Sequence, residues 1–369
     1  MKTSRRNFLT SSAIGFSSLG LIPFMEKDLL NTSKRFSKDK IIYRTLGKTG
    51  LELPVVSMGV MNANLPDLIP ASYDLGIRHF DTAMGYQNGK NEEMVGTQIK
   101  ELGVRDKVTI ATKIVLSKPK PDKPYGEDEK KEFLKNFEGC LERLKTEYVD
   151  ILYIHAVSEP SHINLNPIKD ALMELKESKK VKYIGFSTHR NMTSLLNEAA
   201  KSKFYDVILT AINFTMSNDT ELLKAIKSAS DAGIGIVAMK TQGGGKWYRD
   251  RSPDTIKGEL NATAMLKWAL NVEGITTAIP GYTNFDHMNQ DFSVAYDLNY
   301  TEEEKKFLKD KNVILGAHFC RQCEKCLASC PNNADIPSLM RANMYLMQYA
   351  NIDQTRQALD SIDEMRNLK

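Results

Sequence analysis

Asp81, Lys113, His155 and Lys240 each fall within or at the end of a short, β-branched, apolar run. A carboxylate, two amines and an imidazole are costly to bury one at a time, so four of them on four separate runs need mutual partners. Gathered on one rim they would supply the parts of an acid–base site. Taken singly, a hydrogen-bonded core histidine, strand-end lysines and a turn-capping aspartate would account for them equally well. A second group is Cys320-x2-Cys323-x2-Cys326-x3-Cys330-Pro331, which holds four of the five cysteines within eleven residues. Disulfide frameworks scatter their cysteines to close long loops, so metal binding is the better reading. Thiolates at these intervals can wrap a cubane [4Fe–4S] cluster, and a structural Zn site of four thiolates competes with it. Cys140 stands alone in a helical pattern and reads as a small core residue.

The elements that must position these residues alternate from residue 41 onward. Turn signals at Gly47 and Gly50 predict a hairpin leading into a first strand near Pro54 to Val60. Strands follow near His79 to Ala83, Val108 to Ile114, Val149 to Ala156, Lys182 to Ser187, Val207 to Asn213, Ile234 to Lys240 and Thr276 to Pro280. Between them, helical periodicity covers Glu92 to Lys100, Asp128 to Leu144, Pro167 to Ser178, Met192 to Ser202, Thr220 to Ala232 and Ala262 to Leu270. Eight strand–helix units in roughly 250 residues predict an α/β fold, a closed (β/α)8 TIM barrel. A doubly wound open sheet is disfavoured, because no Gly-x-Gly-x-x-Gly turn follows an early strand. In such a barrel, chemistry gathers at the carboxyl ends of the strands, where the four polar residues lie.

The 369 residues are 41% hydrophobic and 26% charged, which excludes a disordered or collagen-like chain. The net charge of +4 arises from residues 1–40, with eight basic and three acidic side chains, so no nucleic-acid surface is expected. Ser4-Arg5-Arg6-Asn7-Phe8-Leu9 precedes an uncharged stretch interrupted by Ser and Thr. It resembles a twin-arginine export signal, which implies a periplasmic location, with a cytoplasmic chain as the alternative and membrane contact limited to the signal. Residues 1–40 thus read as signal and linker, 41–300 as the barrel, and 301–369 as a small C-terminal helical, cysteine-rich iron–sulfur extension.

In order along the chain, YRTLGKTGLELPVVSMG, RHFDTAMGYQNGKNEEMVG, ATKI, YVDILYIHA, KYIGFS and IPG resemble the aldo-keto reductase family from about Tyr43 to Asp297. The resemblance implies a catalytic group at Asp81, Tyr86, Lys113 and His155. Hydride delivery to a carbonyl carbon leaves negative charge on oxygen, and Tyr86 would donate the proton, with Lys113 depressing its pKa, Asp81 holding the lysine, and neutral His155 donating to the oxygen. The resemblance also implies an NAD(P)H cofactor. Ser187 matches a carboxamide contact, whereas Thr188 and Leu209 stand where Asn and Gln are common, and Met239, followed by Lys240, takes the place of a stacking aromatic. The adenosine-phosphate loop would run from Gly281 through His287 to Gln290, and Gly281 and His287 replace the Lys and Arg that usually grip a 2′-phosphate. The triple glycine Gly243-Gly244-Gly245 is a candidate pyrophosphate loop or a mobile loop.

Some family relatives resemble the tail as well, with a cysteine run of ferredoxin spacing and a helical C-terminus. This puts [4Fe–4S] ahead of Zn at Cys320, Cys323, Cys326 and Cys330. The expected function is reversible hydride transfer between NAD(P)H and a small carbonyl or alcohol substrate. The alternative is an iron–sulfur electron-transfer or redox-sensing protein on a barrel scaffold, with a redox partner protein. Loops Lys118 to Glu127 and Trp247 to Lys257 are candidate specificity elements, and the apolar stripe beyond Pro337 reads as helices packing on the barrel or the cluster.

Overall fold

The computed structural model describes residues 40–116, 125–243, 260–310, 326–327, 329–332, 334–347, 351–360 and 362. Most of the loop Lys118 to Glu127 and all of Trp247 to Lys257 lie outside these residues, as does the twin-arginine motif. Among the described residues no helix is long and apolar enough to cross a membrane.

The chain opens on an antiparallel hairpin, β1 (Tyr43–Thr45) and β2 (Glu52–Pro54). Gly47, at φ 51°, turns the hairpin so closely against the barrel that a Cβ there would meet the Gly235 nitrogen at 2.3 Å. Leu46 is fully buried beside it, so the hairpin plugs the amino-terminal end and leaves the carboxyl end for chemistry. Eight parallel strands follow: β3 (Met58–Gly59), β4 (His79–Asp81), β5 (Thr109–Ile114), β6 (Val149–Val157), β7 (Val181–Thr188), β8 (Val207–Ala211), β9 (Gly235–Met239) and β10 (Ile275–Ala278). Each pairs with its sequence neighbour, and bridges Val56 to Ala278 and Gly59 to Gly281 bring the last strand back to the first. The Ser57 N–H donates to Ala278 O at 2.8 Å and the Gly59 N–H to Pro280 O at 3.0 Å, which closes the barrel.

The first strand is shorter than the sequence pattern predicts. Pro54 lacks a donor and ends the hairpin, and Val55 turns back to bond Ile42 O at 3.0 Å, leaving Met58–Gly59 as the barrel strand. Helices fill the connections: α1 (Leu68–Leu75), α2 (Lys90–Leu102), α3 (Glu127–Leu144), α4 (Asn166–Glu177), α5 (Met192–Ser202), α6 (Thr220–Asp231), α7 (Ala262–Leu270) and α8 (Phe285–Ser293). Their logic is visible in α3, where Phe133, Phe137, Cys140, Leu141 and Leu144 recur along one buried face. Glu129 caps its start by accepting from the Gly126 N–H at 2.7 Å, and Cys140 is an ordinary core residue.

Strands β7 and β8 approach so closely that a Cβ on Gly185 would lie 2.0 Å from Val207 O and 3.0 Å from the Tyr153 ring. Gly185→Ala is therefore expected to destabilise the barrel by about 1–3 kcal/mol or more through overpacking. Urea unfolding at unchanged m would read this directly, and a midpoint equal to that of the unsubstituted chain would refute it.

Beyond α9 (Glu302–Lys309), the tail folds into α10 (Ile336–Met347) and α11 (Ile352–Asp360). These lie across the carboxyl mouth. Arg190, after β7, pairs with Asp335 at 2.8 Å, and Gln354 and Gln357 donate to Gly85 O at 3.2 and 2.9 Å. Ala342, Met344, Tyr345 and Ala358 bury together against Met61 of the loop after β3. Of the tail's apolar stripe, Met344 is buried in this roof over the barrel, whereas Leu346 and Met347 are exposed.

Candidate active site

Asp81 ends β4, Lys113 lies one residue before the end of β5, and His155 lies near the end of β6. Neighbouring parallel strands in register put all three on one rim. The loop after β4 is stitched to β5, since the Thr82 N–H donates to Ala111 O at 2.9 Å and the Met84 N–H to Lys113 O at 3.1 Å. Buried Asn91, at the start of α2, fastens the same loop by accepting from the Thr82 hydroxyl at 2.7 Å and donating to Val60 O at 2.8 Å. Tyr86 is thereby delivered to the mouth, 9% exposed.

The Lys113 ammonium pairs with Asp81 Oδ1 and donates to Thr82 O at 2.5 Å. It lies 5.1 Å from the Tyr86 ring centre and 5.9 Å from that of Tyr153. The Tyr86 and His155 rings meet edge to face with centres 5.8 Å apart. All four sequence candidates are thus one cluster.

Burial dominates the electrostatics. It lowers the Lys113 pKa, against the attraction of Asp81. It brings His155 down to about 3, with Lys113, Arg341 and Lys240 adding to the effect, so the imidazole is neutral, and its Nδ1 has no hydrogen-bond partner among the described residues. Tyr86 goes the opposite way from the sequence expectation: burial, then the Asp81 carboxylate and Tyr345, push its phenol well above the ordinary value. The physical reason is that Lys113 spends its charge on Asp81, leaving desolvation as the larger influence on the phenol.

Of the candidate cofactor residues, Met239, Lys240 and Gly281 wall one cavity with Asp81, Tyr86, Leu209 and Gln242. Ser187 is fully buried, is not among the residues that wall it, and accepts from the Ala156 N–H at 2.8 Å. Thr188 commits its hydroxyl hydrogen to Arg190 O at 2.7 Å. His287 and Gln290 stand apart on α8 and do not wall that cavity; Asn284 caps the helix by accepting from the His287 N–H at 2.8 Å. Cys320 and Cys323 lie outside the described residues, while Cys326 and Cys330 are half-buried, and among the described residues no three metal-ligating side chains gather.

The sequence pattern missed His189, Arg341 and Tyr345. Tyr345 is buried at the cavity, with Lys240 Nζ 5.0 Å over its ring. Its helical spacing marks a buried face without saying which surface buries it, and only the one-turn interval from Arg341 hinted at a polar pair on that face.

A family model described as "Aldo/keto reductase family" matches residues 62–264, more than half of the chain. An uncharacterized oxidoreductase of Bacillus subtilis (strain 168) is 28% identical over 318 residues, covering 73% of this chain and 95% of that protein. A methylglyoxal reductase of Escherichia coli O157:H7 is 29% identical over 242 residues, covering 64% of this chain and 84% of that protein. Among solved structures, the holo form of an aldo-keto reductase from Bacillus halodurans shares the fold with a TM-score of 0.61 at 20% identity, covering 76% of this chain and 99% of that one. The chain therefore belongs to the aldo/keto reductase family and is an NAD(P)H-dependent oxidoreductase.

Proposed function

We propose that the barrel interconverts a carbonyl and an alcohol with Tyr86 as general acid and base. The observation that carries this reading is the gathering of Asp81, Lys113, Tyr86 and His155 at the mouth of one cavity. The cavity's walls fit a nicotinamide. Leu209, Met239 and Ile279 offer apolar surface for a flat ring, and Thr241 Oγ1, also at the wall, is buried with no hydrogen-bond partner among the described residues.

The dihydronicotinamide supplies a hydride when bound; the chain's residues handle the proton. Neutral His155 can orient and polarise a carbonyl oxygen by hydrogen bonding. Tyr86, kept protonated by burial, gives its proton to the alkoxide oxygen. Lys113 compensates the phenolate left behind, and Asp81 holds Lys113 in place.

The α8 end of the site discourages a 2′-phosphate. Asp286 occupies the first turn of α8, and Gly281 and His287 supply no permanent cation there. NADH and NADPH are accordingly expected to bind the anaerobically purified full chain within about threefold of each other. A fixed cation on the 2′-phosphate would contribute about 1.5–3 kcal/mol, tenfold or more. Fluorescence titration decides between them, and a tenfold preference for NADPH would defeat this assignment.

For the tail, we propose a [4Fe–4S] cluster on the cysteine run. It is supported by the thiolate spacing and by Cys330 Sγ, which accepts from the Ala334 N–H at 3.4 Å, the kind of hydrogen bond that tunes cluster sulfur. Export by the twin-arginine route, which carries folded and cofactor-loaded proteins, is the proposal that the amino-terminal motif supports.

A further inference from the structure

The carbonyl oxygen of Gly85, the residue before Tyr86, accepts two hydrogen bonds from α11, from Gln354 Nε2 at 3.2 Å and from Gln357 Nε2 at 2.9 Å. The two side chains also orient one another, because Gln354 Nε2 donates to Gln357 Oε1 at 2.9 Å. Turning the Gln357 amide over would set its oxygen against Gly85 O, so the donor that meets Gly85 is specified. Gly85 itself leaves the room, since a Cβ there would lie 2.8 Å from Gln357 Oε1 and 3.1 Å from its Nε2. Gln354 is buried and is held from the start of its helix: its N–H donates to the Asn351 side chain at 3.0 Å. The Asn351 N–H in turn donates to Tyr345 O at 2.9 Å, which ties α11 to a residue of the cavity wall.

The carbonyl gripped by the tail shares a peptide plane with the Tyr86 N–H. That N–H donates to Ala83 O at 3.0 Å, so both edges of the plane are fixed and Tyr86 leaves it in one direction. Beyond Tyr86 the backbone runs against its own preferences. Gln87, Asn88 and Gly89 take φ values of 51°, 54° and 88°, three left-handed residues in succession, a path that side chains with a Cβ avoid. Such a turn keeps its shape only while its surroundings over-determine it. The Gln87 amide supports it from the loop after β3, donating to Met61 O and Ala63 O at 3.2 Å each, and the tail glutamines support it on the Tyr86 side.

We propose that Gln354 and Gln357 are positioning residues for Tyr86: the tail clasps the peptide bond before the general acid and so holds the phenol within reach of the substrate oxygen. A proton donor works only when held at hydrogen-bonding distance, and a small misplacement is costly. The proposal rests on Tyr86 being the acid of the reductase reading. It gives the tail a part in chemistry whose reacting groups all belong to the barrel.

The test uses the full chain with NADH and 4-nitrobenzaldehyde. Gln354→Ala/Gln357→Ala should lower kcat by about tenfold, the combined worth of two neutral hydrogen bonds, with KM and the NADH Kd unchanged. Gln357→Glu keeps the shape but turns an acceptor toward Gly85 O, and should lose at least as much as Gln357→Ala. Gly85→Ala breaks the clasp from the barrel side and leaves the tail intact, its φ of −81° and ψ of −10° being open to alanine. It should lower kcat as Gln357→Ala does, and combining the two should cost nothing further. A kcat within twofold in the double glutamine variant, or a loss confined to KM or the NADH Kd, overturns the proposal. Amide hydrogen exchange reads the clasp without turnover: the double glutamine variant should speed exchange over residues 82–90 by about tenfold and leave β5 unchanged. Unchanged exchange over 82–90, or equal acceleration in β5, overturns the proposal as well. If the unsubstituted chain reduces no aldehyde, the reductase reading fails, and the exchange result alone decides whether the tail holds the Tyr86 loop.

Discussion

Replacing Tyr86 by Phe is expected to lower kcat for carbonyl reduction by about 10²–10⁴-fold, the usual contribution of a positioned general acid. The substitution removes one oxygen and keeps the ring that meets His155 edge to face, so the fold and the cavity wall should persist. Stopped-flow measurement of NADH oxidation on the full chain would read the loss, and a variant retaining a tenth of the activity would exclude Tyr86 as the acid. The pH profile carries a further expectation from the directions of the shifts. Tyr86 is protonated below a value well above 10, and His155 is neutral above about 3, so both are in their working forms throughout the neutral range. Reduction of a neutral aldehyde should then be level from about pH 5 to 9. Had Lys113 depressed the phenol, as the residue types alone imply, the rate would fall as pH rises through that depressed value. Lys240, near 7, titrates inside the window, and its loss of charge should weaken only substrates that carry an anion.

The barrel was legible because buried parallel strands are near-continuous β-branched runs and their helices keep a 3.6-residue period. Its limits show where local pattern ends. Val55 and Val56 look like strand, yet Pro54 and the turn back to Ile42 exclude Val55 from it. Asp81, Lys113 and His155 stood out as polar residues in apolar runs. Tyr86 sits in a loop and was found only through its family motif. Tyr345 was illegible as a site residue, because it meets Lys240 across more than a hundred residues of chain. An apolar stripe reports that a face is buried and is silent about the surface that buries it. The direction of the Tyr86 shift was likewise hidden, since it depends on how much water the roof excludes and on the Asp81 charge already taken by Lys113.

Cutting the Asp81–Lys113 pair from either side is expected to cost both stability and activity, and cutting both sides should restore only stability. Both side chains are fully buried, at 1–2% exposure, so the ion pair has left water without the help of solvent screening. Asp81→Asn leaves the ammonium with neutral acceptors alone, Thr82 O and an amide oxygen, and Lys113→Met leaves a carboxylate whose Oδ2 already lacks a partner among the described residues. Each single change should lower unfolding stability by about 3–5 kcal/mol, the penalty for a buried charge stripped of its partner. The double variant Asp81→Asn/Lys113→Met buries no charge and should be less destabilised than either single variant, by about 2 kcal/mol. All three should be catalytically crippled, since Lys113→Met and the double variant take from Tyr86 the cation that compensates its phenolate, and Asp81→Asn takes from that cation the carboxylate that holds it charged and in place. Chemical unfolding of the four proteins with parallel turnover assays tests this. If the double variant were as unstable as the sum of the singles, the pair would be independent in stability. If it also kept turnover, the pair would be a structural feature of the barrel. The expected pattern, stability recovered without activity, identifies an ion pair that the fold tolerates and the proton transfer requires.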